Sequence, residues 1–381
     1  MADPLSIAII GTRGVPPVYG GFETFAAELG TRLAARGHHV TVYCRGSLYE
    51  NVPENWQGIH RIELPALRHK YFETVSHSLL SSIDALGRDF DAVLVCNAAN
   101  AFAIPLLRAA KLPVAINVDG IERNRKKWNA VGRFVYLIGE ALSVHFAGAV
   151  VADAEVIAEY YRKNFGIAPA VIAYGSGFPE EEDSDVLARM GLEPGRYVLY
   201  VSRFEPENNP EAVVRAYASV RGSVPLVMVG DAPYARDLIG RLERTTDPRV
   251  KLPGAMYGLD YRTLQRNALV YIQATEVGGT HPALIEAMAS GGAVVANDTP
   301  ENREVGGNAV RYFRLGEGEN LAGLLQEILD DPAGVDVYRS MARSRARSVY
   351  DWRSVTDRYE SLFQELAGRR SQRGPEPGSS Q

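Results

Sequence analysis

The sequence predicts an α/β protein with two doubly wound domains, each built on a parallel sheet covered by helices. Short, continuous apolar runs alternate with helical patterns along most of the chain, which is typical of parallel strands buried on both faces. This alternation stops at Gly175 to Pro194 and then starts again. The chain also has 381 residues, a length that favours two domains.

The first half opens with an apolar strand at Leu5 to Ile10 and an amphipathic helix from about Gly21 to Arg36. The helix is predicted because five apolar residues at helical spacing share one face: Phe22, Phe25, Ala26, Leu29 and Leu33. Further strands are predicted at His39–Cys44, Ala92–Cys96, Val114–Val118, Ala149–Ala152 and Ala170–Ala173. With the helical segments between them, these strands make up a first domain over residues 1–174.

The second half begins after a linker that is rich in Gly, Pro and acidic residues and holds a short helix. Strands are predicted at Tyr197–Val201, Leu226–Val229, Arg249–Leu252, Leu269–Ile272, Ala293–Ala296 and Val310–Phe313. They define a second domain over residues 190–345, followed by a helix over 346–367. Residues 368–381 are rich in Gly, Pro, Ser, Arg and Gln, so we expect a disordered tail there.

Charge and composition argue against several classes of protein. The formal net charge is −5, so no overall positive field indicates nucleic-acid binding. Cys44 and Cys96 lie in predicted strands and are expected to be buried, reduced thiols, and no Cys/His cluster has zinc-site spacing. The N-terminus lacks a signal-peptide pattern, and no apolar run reaches the ~18 residues of a membrane span. We therefore expect a cytoplasmic protein, with peripheral contact at the inner membrane face left open.

Four polar segments follow predicted strands, which is where open parallel sheets bind ligands. The first, Gly11 to Glu23, joins a strand to a helix; its glycines let the backbone approach a ligand, and the helix N-terminus favours an anion. Its spacing fits neither a dinucleotide fingerprint nor a P-loop, and a purely structural turn is the alternative. Gly14, Gly20 and Gly21 are candidate donor-binding residues, and Arg13, Tyr19 and Glu23 are candidate acceptor-side residues.

The second segment, Asn117 to Trp128, follows the predicted strand Val114–Val118. Asp119 comes at the carboxyl end of this strand, where a catalytic or sugar-binding carboxylate would be placed; a turn-forming Asp-Gly pair is the alternative. The basic run that follows could contact a phosphate or a lipid head group, or could be a solvated loop. Its candidate acceptor-side residues are Glu122 and Arg123.

The third and fourth segments lie in the second domain. The third carries Arg203, whose guanidinium offers a fixed fork of donors to a diphosphate, although a surface ion pair is the alternative. The fourth places a glycine pair and Pro282 before a helix, which makes an anion site. Glu286, about one turn inside, suits two ribose hydroxyls, and a solvated glutamate is the alternative. The candidate donor-binding residues of the fourth segment are Gly278, Gly279, Thr280, His281, Ala283, Leu284 and Glu286.

Together the four segments resemble the retaining glycosyltransferases of family 4, which have the GT-B fold, two Rossmann-like domains facing a central cleft. The resemblance extends over roughly residues 5–366. Arg203 matches the family's diphosphate-binding arginine, and Glu286 matches the second of its two donor-binding glutamates. Asn208, also expected at the donor, stands where the family has a lysine. Gly278 replaces the first glutamate unless Glu276 takes over.

The combination YGGFET, DGIERNRKKW, EPENN and GGTHPALIEAM is similar to a bacterial rhamnosyltransferase-like subgroup. This similarity implies transfer of L-rhamnose from dTDP-rhamnose to a lipid-linked sugar or glycan, in cell-surface polysaccharide biosynthesis. It also implies a reaction without metal or cofactor, in which Arg203 and a helix N-terminus stabilise the departing diphosphate. Asp119, Arg203 and Glu286 are the implied catalytic residues, and the last helix is implied to return to the first domain.

Several other interpretations share parts of this pattern. The same fold could use a UDP- or GDP-sugar, or could carry a non-transferase activity such as that of a UDP-N-acetylglucosamine 2-epimerase, which needs no acceptor. A nicotinamide dehydrogenase is disfavoured because G-x-G-x-x-G is missing. A sugar-binding module without activity would not need two glycine-framed anion sites.

Overall fold

The computed structural model describes residues 3–18, 20–49, 51–67, 73–125, 128–177, 183–231, 236–316 and 320–372. The chain forms two compact units, one of residues 1–123, 130–173 and 352–381, the other of 124–129 and 174–351. Each unit is an α/β structure on a parallel or almost entirely parallel sheet, so the predicted fold class of two Rossmann-like domains is confirmed. The units differ from the predicted domains chiefly in that residues 124–129 group with the second unit.

The described residues of the first unit contain one sheet with the strand order β3-β4-β2-β1-β5-β6-β7-β8. Neighbouring strands are parallel, except that β3 and β4 are antiparallel. The strands are β1 (Ser6–Ile10), β2 (His39–Arg45), β3 (Asn55–Trp56), β4 (Ile59–Leu64), β5 (Ala92–Cys96), β6 (Val114–Asn117), β7 (Ala149–Ala152) and β8 (Ala170–Val171). Cys44 and Cys96 are buried and free, as predicted.

The sequence prediction missed β3 and β4. β4 reads IHRIEL, which lacks the continuous apolar run of a central strand, and it follows the sharp turn at Gln57 and Gly58, both at positive φ. It becomes a strand by parallel pairing with β2, in the register Val40 to Ile59. Helices cover this sheet at α1 (Gly21–Ala35), α2 (Glu73–Ala85), α3 (Ile104–Ala109), α4 (Ala130–Phe146) and α5 (Glu155–Phe165).

The described residues of the second unit contain one fully parallel sheet with the strand order β11-β10-β9-β12-β13-β14. The strands are β9 (Val198–Val201), β10 (Leu226–Val229), β11 (Val250–Gly254), β12 (Val270–Gln273), β13 (Ala293–Asn297) and β14 (Arg311–Phe313). The helices are α6 (Val186–Met190), α7 (Pro210–Ala218), α8 (Arg236–Leu242), α9 (Gly258–Asn267), α10 (Pro282–Ala289), α11 (Pro300–Gly306), α12 (Asn320–Asp330) and α13 (Asp336–Val349).

The last helix, α14 (Trp352–Gln372), packs on α1 of the first unit. The Phe25 ring lies 5.3 Å from Tyr359 and 6.4 Å from Trp352, centroid to centroid. Because Tyr359, Phe363 and Leu366 are buried, the helix is anchored close to its end and continues through 368–372, which were predicted as disordered tail. Residues 373–381 lie outside the described residues. None of the described helices combines the length and apolarity needed to cross a membrane.

We expect Phe25→Ala to lower the free energy of unfolding of the first unit by about 3–5 kcal/mol, because it leaves a cavity between α1 and α14. Phe134→Ala is the control, since Phe134 is 61% exposed and its loss should change stability by about 1 kcal/mol or less. Urea unfolding followed by circular dichroism measures both. Equal losses in the two variants would contradict the packing of α14 on α1.

Candidate functional site

The glycine-rich segment after β1 is held by Glu23. The Arg13 backbone N–H donates to the Glu23 carboxylate over 2.8 Å, and Glu23 is buried in the first turn of α1. Gly14 has a φ of 120° and lies so close to Cys44 that a Cβ atom would be 2.6 Å from the Cys44 Sγ. The other predicted residues of this segment are Gly20 and Gly21, which lead into α1, and Tyr19, which lies outside the described residues.

Two charged residues that sequence reasoning missed lie beside Arg13. The guanidinium groups of Arg45 and Arg13 lie 3.1 Å and 3.9 Å from the Glu73 carboxylate. Arg45 is buried at the end of β2, and burial together with the charge of Arg13 lowers its pKa. Its position at the carboxyl end of the strand next to β1 is the signal that could have identified it.

Asp119 lies just beyond the carboxyl end of β6. Its backbone has a φ of 57°, and its N–H donates to the Asn117 side-chain oxygen over 3.0 Å. Asn117 in turn donates to the Tyr359 hydroxyl over 2.9 Å, which ties this loop to α14. Burial and the negative charges of Glu23 and Asp119 raise the pKa of Cys96 in β5 well above its ordinary value. The fold therefore places Glu23 and Asp119 around one strand end.

The arginines of the basic run after Asp119 are engaged within the protein. Arg123 stacks on Tyr160, and its guanidinium lies 3.4 Å from the buried Glu140 carboxylate. Arg123, which the sequence analysis assigned to the acceptor side, is therefore held in an ion pair with Glu140. Of the other residues in this run, Glu122 is buried, and Lys126 and Lys127 lie outside the described residues.

In the second unit, the loop after β9 carries Arg203 and is braced by Asn208. The Asn208 amide donates to the Arg203 carbonyl over 2.7 Å, and the Asn208 carbonyl accepts from the Tyr200 hydroxyl over 2.7 Å. The Arg203 side chain is 36% exposed, with its guanidinium 3.9 Å from the Glu205 carboxylate. Asn208 was predicted to bind the donor, whereas its side-chain nitrogen holds the Arg203 loop in shape.

Arg125 places a further positive charge in the second unit. Its guanidinium lies 3.4 Å from the Glu207 carboxylate and 3.9 Å from that of Glu205. Arg125 and Glu207 are both buried, and burial raises the pKa of Glu207. This ion pair gives a physical reason for the grouping of residues 124–129 with the second unit.

His281 fills the space beside Gly278 and directly precedes α10. A Cβ atom on Gly278 would lie 2.3 Å from the His281 ring carbon Cε1, so a longer side chain at 278 requires the ring to move. Burial and the positive charges of Arg125 and Arg203 lower the pKa of His281 to about 3. His281 is therefore neutral at pH 7, and the positive charge near the start of α10 comes from the two arginines.

The remaining predicted residues of this segment build the start of α10. The backbone N–H groups of Leu284 and Ile285 donate to the His281 carbonyl over 3.0 Å and 3.2 Å. The Leu284 side chain is fully buried, so its role is to pack the helix rather than to contact a donor. Gly279 and Thr280 are buried. The Ala283 carbonyl accepts a hydrogen bond from the Gln265 amide over 3.4 Å. The Glu276 N–H donates to the Glu207 carbonyl over 2.9 Å.

Glu286 is oriented by a tyrosine from α9. The Tyr261 hydroxyl donates to the Glu286 carboxylate, and the Gln265 amide donates to the Tyr261 oxygen over 3.0 Å. Burial and the charge of Glu286 raise the pKa of Tyr261 well above its ordinary value, so the hydroxyl keeps its proton. Glu286 is thus a half-buried, directed carboxylate rather than a solvated one. Nothing in the sequence pointed to Tyr261 or Gln265, which come from a separate helix.

The second unit therefore combines cations, a helix N-terminus and a directed carboxylate beyond the ends of β9 and β12. Arginines and backbone N–H groups bind phosphate oxygens, and a carboxylate accepts hydrogen bonds from sugar hydroxyls. In the part of the chain that the structure describes, no three His, Cys, Asp or Glu side chains are grouped to hold a metal ion.

Two protein-family models match the chain. One, for a glycosyl transferase 4-like domain, matches residues 20–175, and the other, for glycosyl transferases group 1, matches residues 189–348. A phosphatidyl-myo-inositol mannosyltransferase from Mycolicibacterium smegmatis is 25% identical over 367 residues, which cover 92% of each of the two chains.

Solved structures share the whole fold. A sucrose-phosphate synthase from Thermosynechococcus elongatus superposes with a TM-score of 0.81 at 20% identity, over 96% of this chain and 100% of that one. HepE from Anabaena in complex with UDP-glucose gives a TM-score of 0.77 at 17% identity, over 95% and 100%. The fold and the matched domains define an enzyme that transfers sugar residues. The chain is a glycosyltransferase of the GT-B type, with a family 4-like first domain and a group 1 second domain.

We expect Gly278→Ala to destabilise the second unit by about 1–3 kcal/mol and to weaken nucleotide binding, because the added methyl group displaces the His281 ring. Gly240→Ala in α8 is the matched control, since its Cβ atom would meet nothing closer than 3.7 Å. It should be neutral or stabilising by up to about 1 kcal/mol. Urea unfolding and calorimetric titration with UDP or dTDP measure both effects; an unchanged Gly278→Ala protein would contradict the packing of His281.

Proposed function

We propose that this enzyme transfers a sugar from a nucleoside-diphosphate sugar to a glycan or lipid-linked sugar, with retention of configuration. The observation that carries the proposal is that the Arg203 loop after β9 and the segment before α10 leave the same edge of one sheet, where the charges of Arg125 and Arg203 act together with burial on the pKa of His281. A nucleoside diphosphate leaves with negative charge, which these cations and the helix N-terminus would stabilise. Glu286, directed by Tyr261, would accept hydrogen bonds from the donor ribose.

The reaction in this proposal needs no metal and no cofactor other than the nucleotide-sugar co-substrate. The acceptor hydroxyl attacks the anomeric carbon on the face from which the diphosphate departs, and its proton passes to a leaving phosphate oxygen. Arg203 neutralises the charge on the departing group. In the first unit, the carboxylates of Glu23 and Asp119 would orient acceptor hydroxyls, and Asp119 keeps its proposed catalytic role.

For the donor sugar, we propose L-rhamnose carried by dTDP. The support is the combination of YGGFET, DGIERNRKKW, EPENN and GGTHPALIEAM, together with a glycine instead of a glutamate at 278. A UDP-sugar is the second candidate, because the similar HepE structure contains UDP-glucose. Mannose is a further candidate sugar, since the M. smegmatis relative is a mannosyltransferase.

For the acceptor, we propose a lipid-linked sugar reached at the cytoplasmic face of the membrane. The relative from M. smegmatis is named for an inositol phospholipid, and it matches this chain over nearly its whole length. An enzyme that works on such an acceptor needs peripheral contact with the bilayer. Cell-surface polysaccharide biosynthesis is the process that we propose for it.

A thermal-shift panel with dTDP, UDP, GDP, ADP and NAD, without added metal, tests the donor site. A ligand at ~100 times its Kd stabilises the folded protein by roughly 2.7 kcal/mol, which raises the midpoint by a few degrees. A selective shift with dTDP supports a dTDP-sugar donor. A shift with UDP or GDP removes dTDP-rhamnose, and a shift with NAD alone overturns the proposed site.

We expect Arg203→Ala to lower kcat/KM by about 10²–10³-fold, because it removes a charge-assisted donor to the departing diphosphate. Arg203→Lys should recover only part of this loss, since an ammonium group cannot form the planar, two-pronged contact. Arg241→Ala is the matched control. Arg241 lies on α8 of the second unit and pairs with Glu211 at a distance of 2.7 Å. Initial rates of donor turnover measure all three, and near-normal activity of Arg203→Ala removes Arg203 from the mechanism.

A further inference from the structure

Two helices of the first unit, α2 and α4, expose many large apolar side chains, although Leu142 and Val144 of α4 pack against the core. In α4 the buried residues are Gly139, Glu140 and Ser143, whereas Val131 and Phe134 are 69% and 61% exposed. In α2 the buried residues are small or polar, and they are His77, Ser78, Ser81, Ser82 and Ala85. The other exposed large apolar residues of these helices are Leu79, Leu80, Ile83, Val135, Leu137 and Phe146. A surface helix of a protein in water normally turns its apolar side inward.

The inner side of both helices is closely packed. Gly139 lies so close to Ala98 that a Cβ atom would be 2.4 Å from the Ala98 carbonyl oxygen. The Ser143 hydroxyl donates to the Gly139 carbonyl over 2.8 Å, and Ser81 donates to the His77 carbonyl over 2.8 Å. Small residues let a helix backbone approach its neighbour closely, as they do where helices pack against each other within lipid. The exposed apolar residues are therefore a consistent feature of both helices.

The two helices contribute to one surface. The segment Ala98–Ala103 contacts both α2 and α4, and it exposes a further aromatic residue, Phe102. We call the exposed apolar side chains of α2 and α4, together with Phe102, the outer face. Exposed apolar surface of this extent on a protein marks an interaction site.

The charges on the outer face suit an anionic partner. Within the described residues of the two helices, the exposed side chains include Arg133 and no carboxylate. The half-buried Asp84 is paired with Arg88 over 2.6 Å. The whole chain, in contrast, has a net charge of −5. Apolar side chains with nearby cations are what an anionic bilayer surface binds.

We infer that the outer face of α2 and α4 is a membrane-docking surface that inserts its apolar side chains among anionic lipids. The inference deepens the proposed function, because a docked first unit would hold its acceptor-side loops next to a lipid-linked sugar. α4 follows soon after the loop that carries Asp119, so the docking surface and the proposed acceptor side belong to one stretch of chain. Burial of the apolar side chains in the lipid drives the docking. Membrane binding therefore requires neither donor nor acceptor.

The test is co-sedimentation of the full chain with vesicles of equimolar phosphatidylglycerol and phosphatidylcholine, without nucleotide or acceptor. Val131→Glu/Phe134→Glu should lower vesicle binding by roughly tenfold or more, and Ile83→Glu on α2 should lower it independently. Val337→Glu/Met341→Glu is the matched control, because these residues of α13 are 60% and 40% exposed and are also about one helical turn apart. Binding to vesicles of phosphatidylcholine alone should be weaker for the unmodified protein.

Circular dichroism and the dTDP and UDP thermal-shift panel establish that each variant is folded and that its donor site is intact. Loss of vesicle binding in the α4 and α2 variants, with the α13 control unchanged, supports the inference. It is overturned if the unmodified protein stays off the vesicles, or if all variants bind alike. It is equally overturned if sedimentation shows a dimer that the α4 variant dissociates without any vesicle binding, since the outer face is then a self-association surface. If no nucleotide stabilises the protein in the thermal-shift panel while vesicle binding is normal, the proposed function is wrong and the docking surface stands.

Discussion

Parallel strand pairing is the constraint on which both candidate sites depend. All strands of a parallel sheet end at one edge, so loops from distant parts of the chain meet there. In the first unit, β1 pairs with β2 and β5, which brings Glu23 near Arg45 and Cys96. In the second unit, β9 pairs with β10 and β12, so the Arg203 loop and the segment before α10 leave the same edge. The chemistry of each unit is thus a consequence of strand order.

Buried ion pairs then decide where charge is available. Arg125 is surrounded by Glu205 and Glu207, which stabilise a cation in a place where an isolated one would be costly. His281 lies near two arginines and stays neutral, so it adds shape and hydrogen-bonding capacity rather than charge. The positive charge near the start of α10 therefore comes from guanidinium groups rather than from His281, and it persists across the neutral pH range.

The helices of the first unit follow two different packing rules. α1 buries Phe25, Leu29 and Leu33 and receives the aromatic side chains of α14, as expected for a helix in water. The fully buried residues of α2 and α4 are small or polar, and most of the leucine, valine and phenylalanine side chains of these helices are exposed. Large side chains on α1 fill a core, whereas small ones on α4 let the backbone approach its neighbour. The first unit thus combines the buried apolar core of a protein in water with a surface suited to contact with lipid.

The sequence by itself determined the fold class and the glycosyltransferase resemblance. Strands buried on both faces need continuous apolar runs, so Ala92–Cys96, Ala149–Ala152 and Leu226–Val229 were predicted to the residue. Only the tertiary structure decided which polar side chains are engaged and by what. Asn208 braces a loop, Arg123 pairs with Glu140, and Tyr261 directs Glu286, because each partner comes from a different segment of the chain. Periodicity reports which face of an element is buried, whereas hydrogen bonds and ion pairs depend on distances between elements, which local sequence does not encode.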